Sequence, residues 1–126
     1  MEIRLLDDSF TVCKIKNMSQ VDFTDVYCFV GKTDEELSLV CRTASVPPET
    51  LEREDGWRGF RIQGVLDFSL TGILSGIASL LARNHIPLFA LSTYNTDYIF
   101  TKSEHFDRAI GVLAEAGYRI VPPGLS

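Results

Sequence analysis

The sequence predicts an α+β fold, and three observations point to it. Between Trp57 and Ser126 the segments run in the order strand, helix, strand, strand, helix, strand. Before that stretch no full-length amphipathic helix occurs, only short strand-like runs. Third, Leu70, Ile73, Leu74, Ile77 and Leu81 recur at helical spacing, while Gly72, Ser75, Gly76 and Ser79 keep another side small and uncharged. That pattern predicts a helix over residues 70–83 packed on more than one side.

Taken in order, Ile3 to Leu6 and Phe10 to Ile15 read as strands joined by the polar turn residues Asp7-Asp8-Ser9, which predicts a hairpin. Val26 to Val30 and Leu37 to Cys41 predict a second pair. Between them Thr33 or Asp34 has the chemistry to cap a single helical turn. Val46-Pro47-Pro48-Glu49 breaks the pattern, and the charged run Glu49 to Asp55 predicts a surface connection. The chain therefore divides into residues 1–55, a β-rich subdomain, and 56–126. So short a connection predicts that the two parts pack together.

Phe60, Ile62 and Gly64 alternate with Arg61, Gln63 and Val65, the period of a strand. The helix that follows is expected to end near Asn84, which tolerates a left-handed terminus, with Pro87 preventing continuation. Leu88 to Thr93 and Asp97 to Thr101 predict strands around a Tyr94-Asn95-Thr96 hairpin loop. Ser103 is an N-cap candidate, Glu104 and Asp107 bring acids to the first turn, and Phe106, Ile110 and Leu113 form an apolar stripe. Gly117 ends that helix and Tyr118 to Val121 is the closing strand. This βαββαβ order is the ferredoxin-like arrangement, a four-stranded antiparallel sheet with both helices on one face.

A chain of 126 residues with 45% hydrophobic content buries one core, or two small ones. No apolar run approaches the roughly 20 residues of a membrane helix. The acidic start Met-Glu-Ile-Arg-Leu-Leu-Asp-Asp is unlike a signal peptide, so a cytoplasmic protein is expected. A formal net charge of -5 without a basic run argues against nucleic acid as a partner. Cys13, Cys28 and Cys41 are widely spaced in apolar runs and read as buried free thiols. His85 and His105 lack carboxylate or thiol neighbours at ligand spacing, so no metal and no cofactor are expected.

The residues Asp67-Phe68-Ser69-Leu70-Thr71-Gly72-Ile73-Leu74 and Pro87-Leu88-Phe89-Ala90-Leu91-Ser92-Thr93-Tyr94-Asn95-Thr96-Asp97-Tyr98-Ile99 resemble the ACT domain, a small-molecule-sensing module. Within that family they look like small bacterial ACT proteins and the CASTOR-type arginine sensors, through the Ser-Thr-Tyr hairpin leading into Thr-Asp-Tyr. The resemblance is strong over residues 57–121. It implies that residues 1–55 are a degenerate ACT-like half.

ACT domains typically hold an amino acid where the first strand runs into the first helix, which implies a site at Asp67, Phe68, Ser69, Leu70, Thr71, Gly72 and Ile73. Physics agrees: a helix start offers unpaired N–H groups to a carboxylate, and Gly72 permits close approach to the backbone. The competing role of Asp67 or Ser69 is to cap the helix. On the hairpin, Asn95 and Asp97 are candidates for a ligand ammonium or guanidinium, against the plainer role of stabilising the turn. Ser92, Thr93, Tyr94 and Thr96 complete the candidate set, their hydroxyls otherwise being satisfied within the sheet. Trp57 and Phe60 are read as core or as an interface.

Catalysis has no motif behind it. In Gly72-Ile73-Leu74-Ser75-Gly76 the serine falls one place late for a nucleophile elbow, and no phosphate or dinucleotide glycine pattern occurs. The expectation is a non-catalytic regulatory protein that binds a free amino acid and forms a homodimer or an internal pairing of its halves. The alternatives are an interaction module without ligand and a detached regulatory subunit of an amino-acid biosynthetic enzyme.

Overall fold

The computed structural model describes residues 2–63 and 70–123, with the side chains of Leu70 and Thr71 left aside. The strands are β1 (Glu2–Leu5), β2 (Phe10–Lys14), β3 (Cys28–Lys32), β4 (Leu37–Arg42), β5 (Glu52–Gln63), β6 (Phe89–Ser92), β7 (Asp97–Lys102) and β8 (Arg119–Val121). The helices are α1 (Leu70–Arg83) and α2 (Ser103–Glu115). Two compact units result, one of Asp8–Trp57 and one that joins Met1–Asp7 to Arg58–Ser126. The first seven residues thus group with the helices.

The predicted β1–β2 hairpin is not formed. β1 pairs with β5 and β8, β2 pairs with β4 and β5, and both run antiparallel to β5. A turn that reversed the chain at Asp7-Asp8-Ser9 is incompatible with that common direction. The partner of both is a strand longer than its side chains suggested. β5 has twelve residues and takes in Glu52 to Asp55, where the charges predicted a surface connection. Backbone pairing with β2 forms the strand there while the charged side chains stay in water. Asp55 and Gly56 together face the single residue Thr11, a bulge in which Gly56 adopts the left-handed φ of 86° open to glycine.

In the β-rich unit the strand order is β3-β4-β2-β5. The predicted β3–β4 pair is present, closed by Thr33 N–H donating to the Glu36 carbonyl at 2.9 Å. Thr33 Oγ1 accepts from the N–H groups of Glu35 and Glu36, so it closes a turn between strands. Cys13, Ile15, Val21, Leu39 and Cys41 form the core. Asp25, its side chain only 4% exposed, accepts from Arg42 Nε at 2.9 Å and from the Ser45 hydroxyl. A buried carboxylate without such partners would be costly.

The helix-bearing unit has the order β8-β1-β5-β7-β6. Here the expected four-stranded antiparallel sheet is corrected: β1 lies between β5 and β8, antiparallel to one and parallel to the other. Ile3 explains its place, being fully buried in the same core as Phe60, Ile62 and Ile99 of the sheet. Ile77 and Leu81 of α1 and Phe106, Ala109 and Leu113 of α2 complete that core, so both helices cover one face as predicted. Gly72, Ser75, Gly76 and Ser79 are exposed, however, so within this unit the core takes the apolar side of α1 and the small side stays open to solvent.

Both helices end in the same backbone device. His85 N–H donates to the Ala82 carbonyl and Ile86 N–H to that of Leu81, with His85, and not Asn84, left-handed at φ 60°. Asn84 is occupied otherwise: its amide donates to the Leu80 carbonyl and its own carbonyl accepts from Arg108 at 2.7 Å. In α2 Gly117 and Tyr118 donate to Ala114 and Leu113 in the same pattern. At the other end of α2, Ser103 is the first helical residue, and the capping position belongs to Lys102, which makes no side-chain cap. Glu104 is the acid of that first turn.

Candidate functional site

The site predicted from sequence is built on the end of β5, the start of α1 and the β6–β7 hairpin. Asp67, Phe68 and Ser69 lie outside the described residues. Leu70, Thr71, Gly72 and Ile73 form the first turn of α1, which holds no acidic residue. Gly72 is exposed, and a Cβ placed there would meet nothing within 4 Å. Ile73 packs against the core.

Pairing of Ser92 with Asp97 sets the hairpin. Thr93 N–H donates to the Thr96 carbonyl at 2.8 Å, the Thr93 hydroxyl donates to the same oxygen, and Thr96 N–H donates to Thr93 Oγ1. The loop is thus closed by its own threonines. Asp97 is 8% exposed and accepts from the Ser92 hydroxyl at 2.5 Å, whereas Tyr94 and Asn95 stand out in solvent. Thr96 turns the other way. Its hydroxyl donates to the Ile62 carbonyl at 2.6 Å, fastening the hairpin to the last turn of the pleat before β5 ends.

The structure therefore brings Thr96 to the end of β5, buries Asp97 beside Ser92, and leaves Asn95 and Tyr94 exposed to solvent at the hairpin tip. Sequence reasoning missed the Ile62 carbonyl, since a backbone acceptor carries no residue signature. It also missed Arg58, whose guanidinium lies 4.5 Å from the Phe106 ring centroid, and Tyr118, whose hydroxyl would be 3.5 Å from a Cβ at Gly76. Phe60 is core, at 0% exposure.

Elsewhere, the β-rich unit carries an open groove of about 600 Å³ lined by Lys16, Gln20, Glu49 and Leu51 among others. The Gln20 amide in its lining is already engaged, donating to the Glu49 carbonyl and accepting from the N–H groups of Lys16 and Asn17. Among the described residues no cluster of His, Cys, Asp and Glu could hold a metal, and no helix is long and apolar enough to cross a membrane.

The helix-bearing unit is thus an α+β fold with both helices on one sheet face and a self-closed hairpin beside the end of β5. A model of the ACT domain family matches residues 52–115, just over half of the chain, and the chain belongs to that family. Among solved structures it is similar to a protein of Agobacterium tumefaciens, with 26% identity and a TM-score of 0.86 over 98% of this chain and 93% of that one. The regulatory subunit of aspartate kinase from Thermus thermophilus shares the fold at 11% identity, with a TM-score of 0.61 over 93% of this chain and 98% of that one. Aspartate kinase from Clostridium acetobutylicum, an allosteric enzyme, does so at 13% identity and a TM-score of 0.65 over 90% of this chain and 33% of that one. A search of curated proteins finds no match.

Proposed function

We propose that this chain is a non-catalytic regulatory protein that senses a free amino acid at the strand-to-helix connection of its helix-bearing unit. The observation that carries the reading is the Thr96–Ile62 hydrogen bond, which holds the hairpin at the strand end leading to α1. The ligand carboxylate meets the N–H groups of Thr71, Gly72 and Ile73, where the helix start is partially positive. Its ammonium or side chain meets Asn95 and the Asp97 carboxylate. A regulatory role is supported by the family and by the likeness to the regulatory subunit of aspartate kinase from Thermus thermophilus.

The likeness of the hairpin residues to CASTOR-type arginine sensors, together with the net charge of -5, makes cationic amino acids the first ligands to try. Calorimetry against the common amino acids is the test. A ligand at a hundred times its dissociation constant stabilises the fold by about 2.7 kcal/mol, a rise readily seen on heating. Absence of binding at millimolar concentration removes the sensor reading and leaves an interaction module or a detached enzyme subunit, which a pull-down separates. The exposed small side of α1, Gly72, Ser75, Gly76 and Ser79, supports a homodimer in which helices approach closely. Light scattering decides that point.

A further inference from the structure

The three cysteines are free thiols, yet two of them are not independently placed. Cys28 and Cys41 stand directly opposite each other on β3 and β4, in a ladder without a register shift. Counting from the turn fixes the type of this pair. Thr33 and Glu36 are hydrogen-bonded partners, so alternation makes Lys32–Leu37, Val30–Leu39 and Cys28–Cys41 the non-hydrogen-bonded positions. An independent check agrees: the Leu37 carbonyl accepts from Ile15 N–H, on the side of β4 away from β3, and Cys41 shares the parity of Leu37.

At such positions the Cα atoms stand about 4.5 Å apart with side chains turned toward each other. That lies within the roughly 4.4–6.8 Å that a disulfide spans, so closure needs no movement of the strands. Both thiols also belong to one apolar cluster, with Cys41 2% and Cys13 4% exposed and Cys28 the more open of the three. Cys13 sits opposite Leu39, two places along from the Cys41 position, so its path to Cys41 is the longer diagonal.

We propose that Cys28 and Cys41 form a cross-strand disulfide when a low-molecular-weight disulfide such as oxidised glutathione is supplied. The Cys28 thiolate attacks one sulfur of the reagent, forming a mixed disulfide and releasing one equivalent of thiol. The Cys41 thiolate then attacks Cys28 Sγ, the protein S–S bond forms, and the second equivalent leaves. Two protein thiols are oxidised and one small disulfide is reduced to two thiols. Burial pushes both thiols above their ordinary 9.0, Cys41 up to about 12, so the reaction quickens as pH rises. Closure fastens β3, the edge strand of its unit, to β4.

The full chain is incubated with oxidised glutathione at pH 8 to 9, its thiols are counted in denaturant, and the peptides are mapped without reduction. Titratable thiols falling from three to one, a monomeric mass lower by two hydrogens and a Cys28–Cys41 linked peptide are expected. Cys28→Ser should abolish the loss and Cys13→Ala should keep it. Three surviving thiols, a Cys13–Cys41 peptide, or glutathione retained on Cys28 would each overturn the proposal. Because Cys28 is the least buried of the three, its serine variant keeps the test valid even where Cys13→Ala fails to fold.

Discussion

The Thr96 hydroxyl donates a 2.6 Å hydrogen bond to the carbonyl of Ile62, thirty-four residues earlier in the chain. It converts a surface hairpin into one with a fixed place beside the end of β5. Thr96→Val keeps the shape and removes the donor, leaving a carbonyl of the 4%-exposed Ile62 without it. Urea unfolding should show a loss of about 1–2 kcal/mol. If the hairpin forms part of a ligand site, calorimetry should also show weaker binding of the amino acid.

Asp97 is expected to act through the hairpin first. Its carboxylate takes the Ser92 hydroxyl at 2.5 Å, so Asp97→Ala and Ser92→Ala should each destabilise by about 1 kcal/mol. A ligand contact adds a second signature. Binding should fall with Asp97→Ala by about 1.5–3 kcal/mol, the scale of a hydrogen bond to a charged group, and far less with Ser92→Ala. Equal effects on binding would assign Asp97 to the turn alone.

Gly59 has a packing reason. A Cβ there would lie 2.6 and 2.7 Å from two carbons of the Phe100 ring, itself fully buried and stacked on Phe89 with centroids 4.9 Å apart. Gly59→Ala should cost about 1–3 kcal/mol by thermal unfolding. Adding Phe100→Leu should recover part of that loss, whereas an additive double variant would locate the damage in the backbone.

Stability in acid should report Asp25. Burial acts to raise its carboxyl, but the Ser45 hydroxyl, the Arg42 guanidinium and the Val26 N–H outweigh it and hold the group below its ordinary 3.8. A group with a lowered folded pKa stabilises the fold above the unfolded value and loses that contribution as pH falls through the folded one. Stability should therefore decline from about pH 4 downward. Asp25→Asn should be less stable at neutral pH and show a flatter acid limb.

His85 occupies a left-handed position that glycine usually fills at a helix end, and it is exposed. His85→Gly should raise stability by about 0.5–1 kcal/mol, relief of backbone strain being partly offset by chain entropy. At the equivalent position of α2, Gly117 at φ 100° makes Gly117→Ala a loss of similar size.

Much of the helix-bearing unit was readable in the chain. Leu70, Ile73, Leu74, Ile77 and Leu81 repeat with the helical period and set α1 at Leu70–Arg83, while Gly117 marks the end of α2. The hairpin around Tyr94-Asn95-Thr96 followed from strand formers on both sides of turn residues. The left-handed residue after α1 was placed one position early, because Asn84 and His85 both suit the end and only the Leu80 and Arg108 contacts separate them.

The sequence by itself determined where helices and most strands occur and that Gly117 ends α2, because these follow from side-chain period and local backbone preference. Thr33, a candidate cap for a helical turn, closes a turn between strands instead. Partner choice came only with the tertiary structure. Ile3 carries no mark that sends β1 between β5 and β8, and Glu52 to Asp55 carry none that makes them a strand. The same holds for Thr96 meeting the Ile62 carbonyl and Cys28 facing Cys41. A strand satisfies its backbone groups on whichever neighbour the core brings alongside, and burial of Ile3 against both helices is a property of the assembled unit, not of four residues.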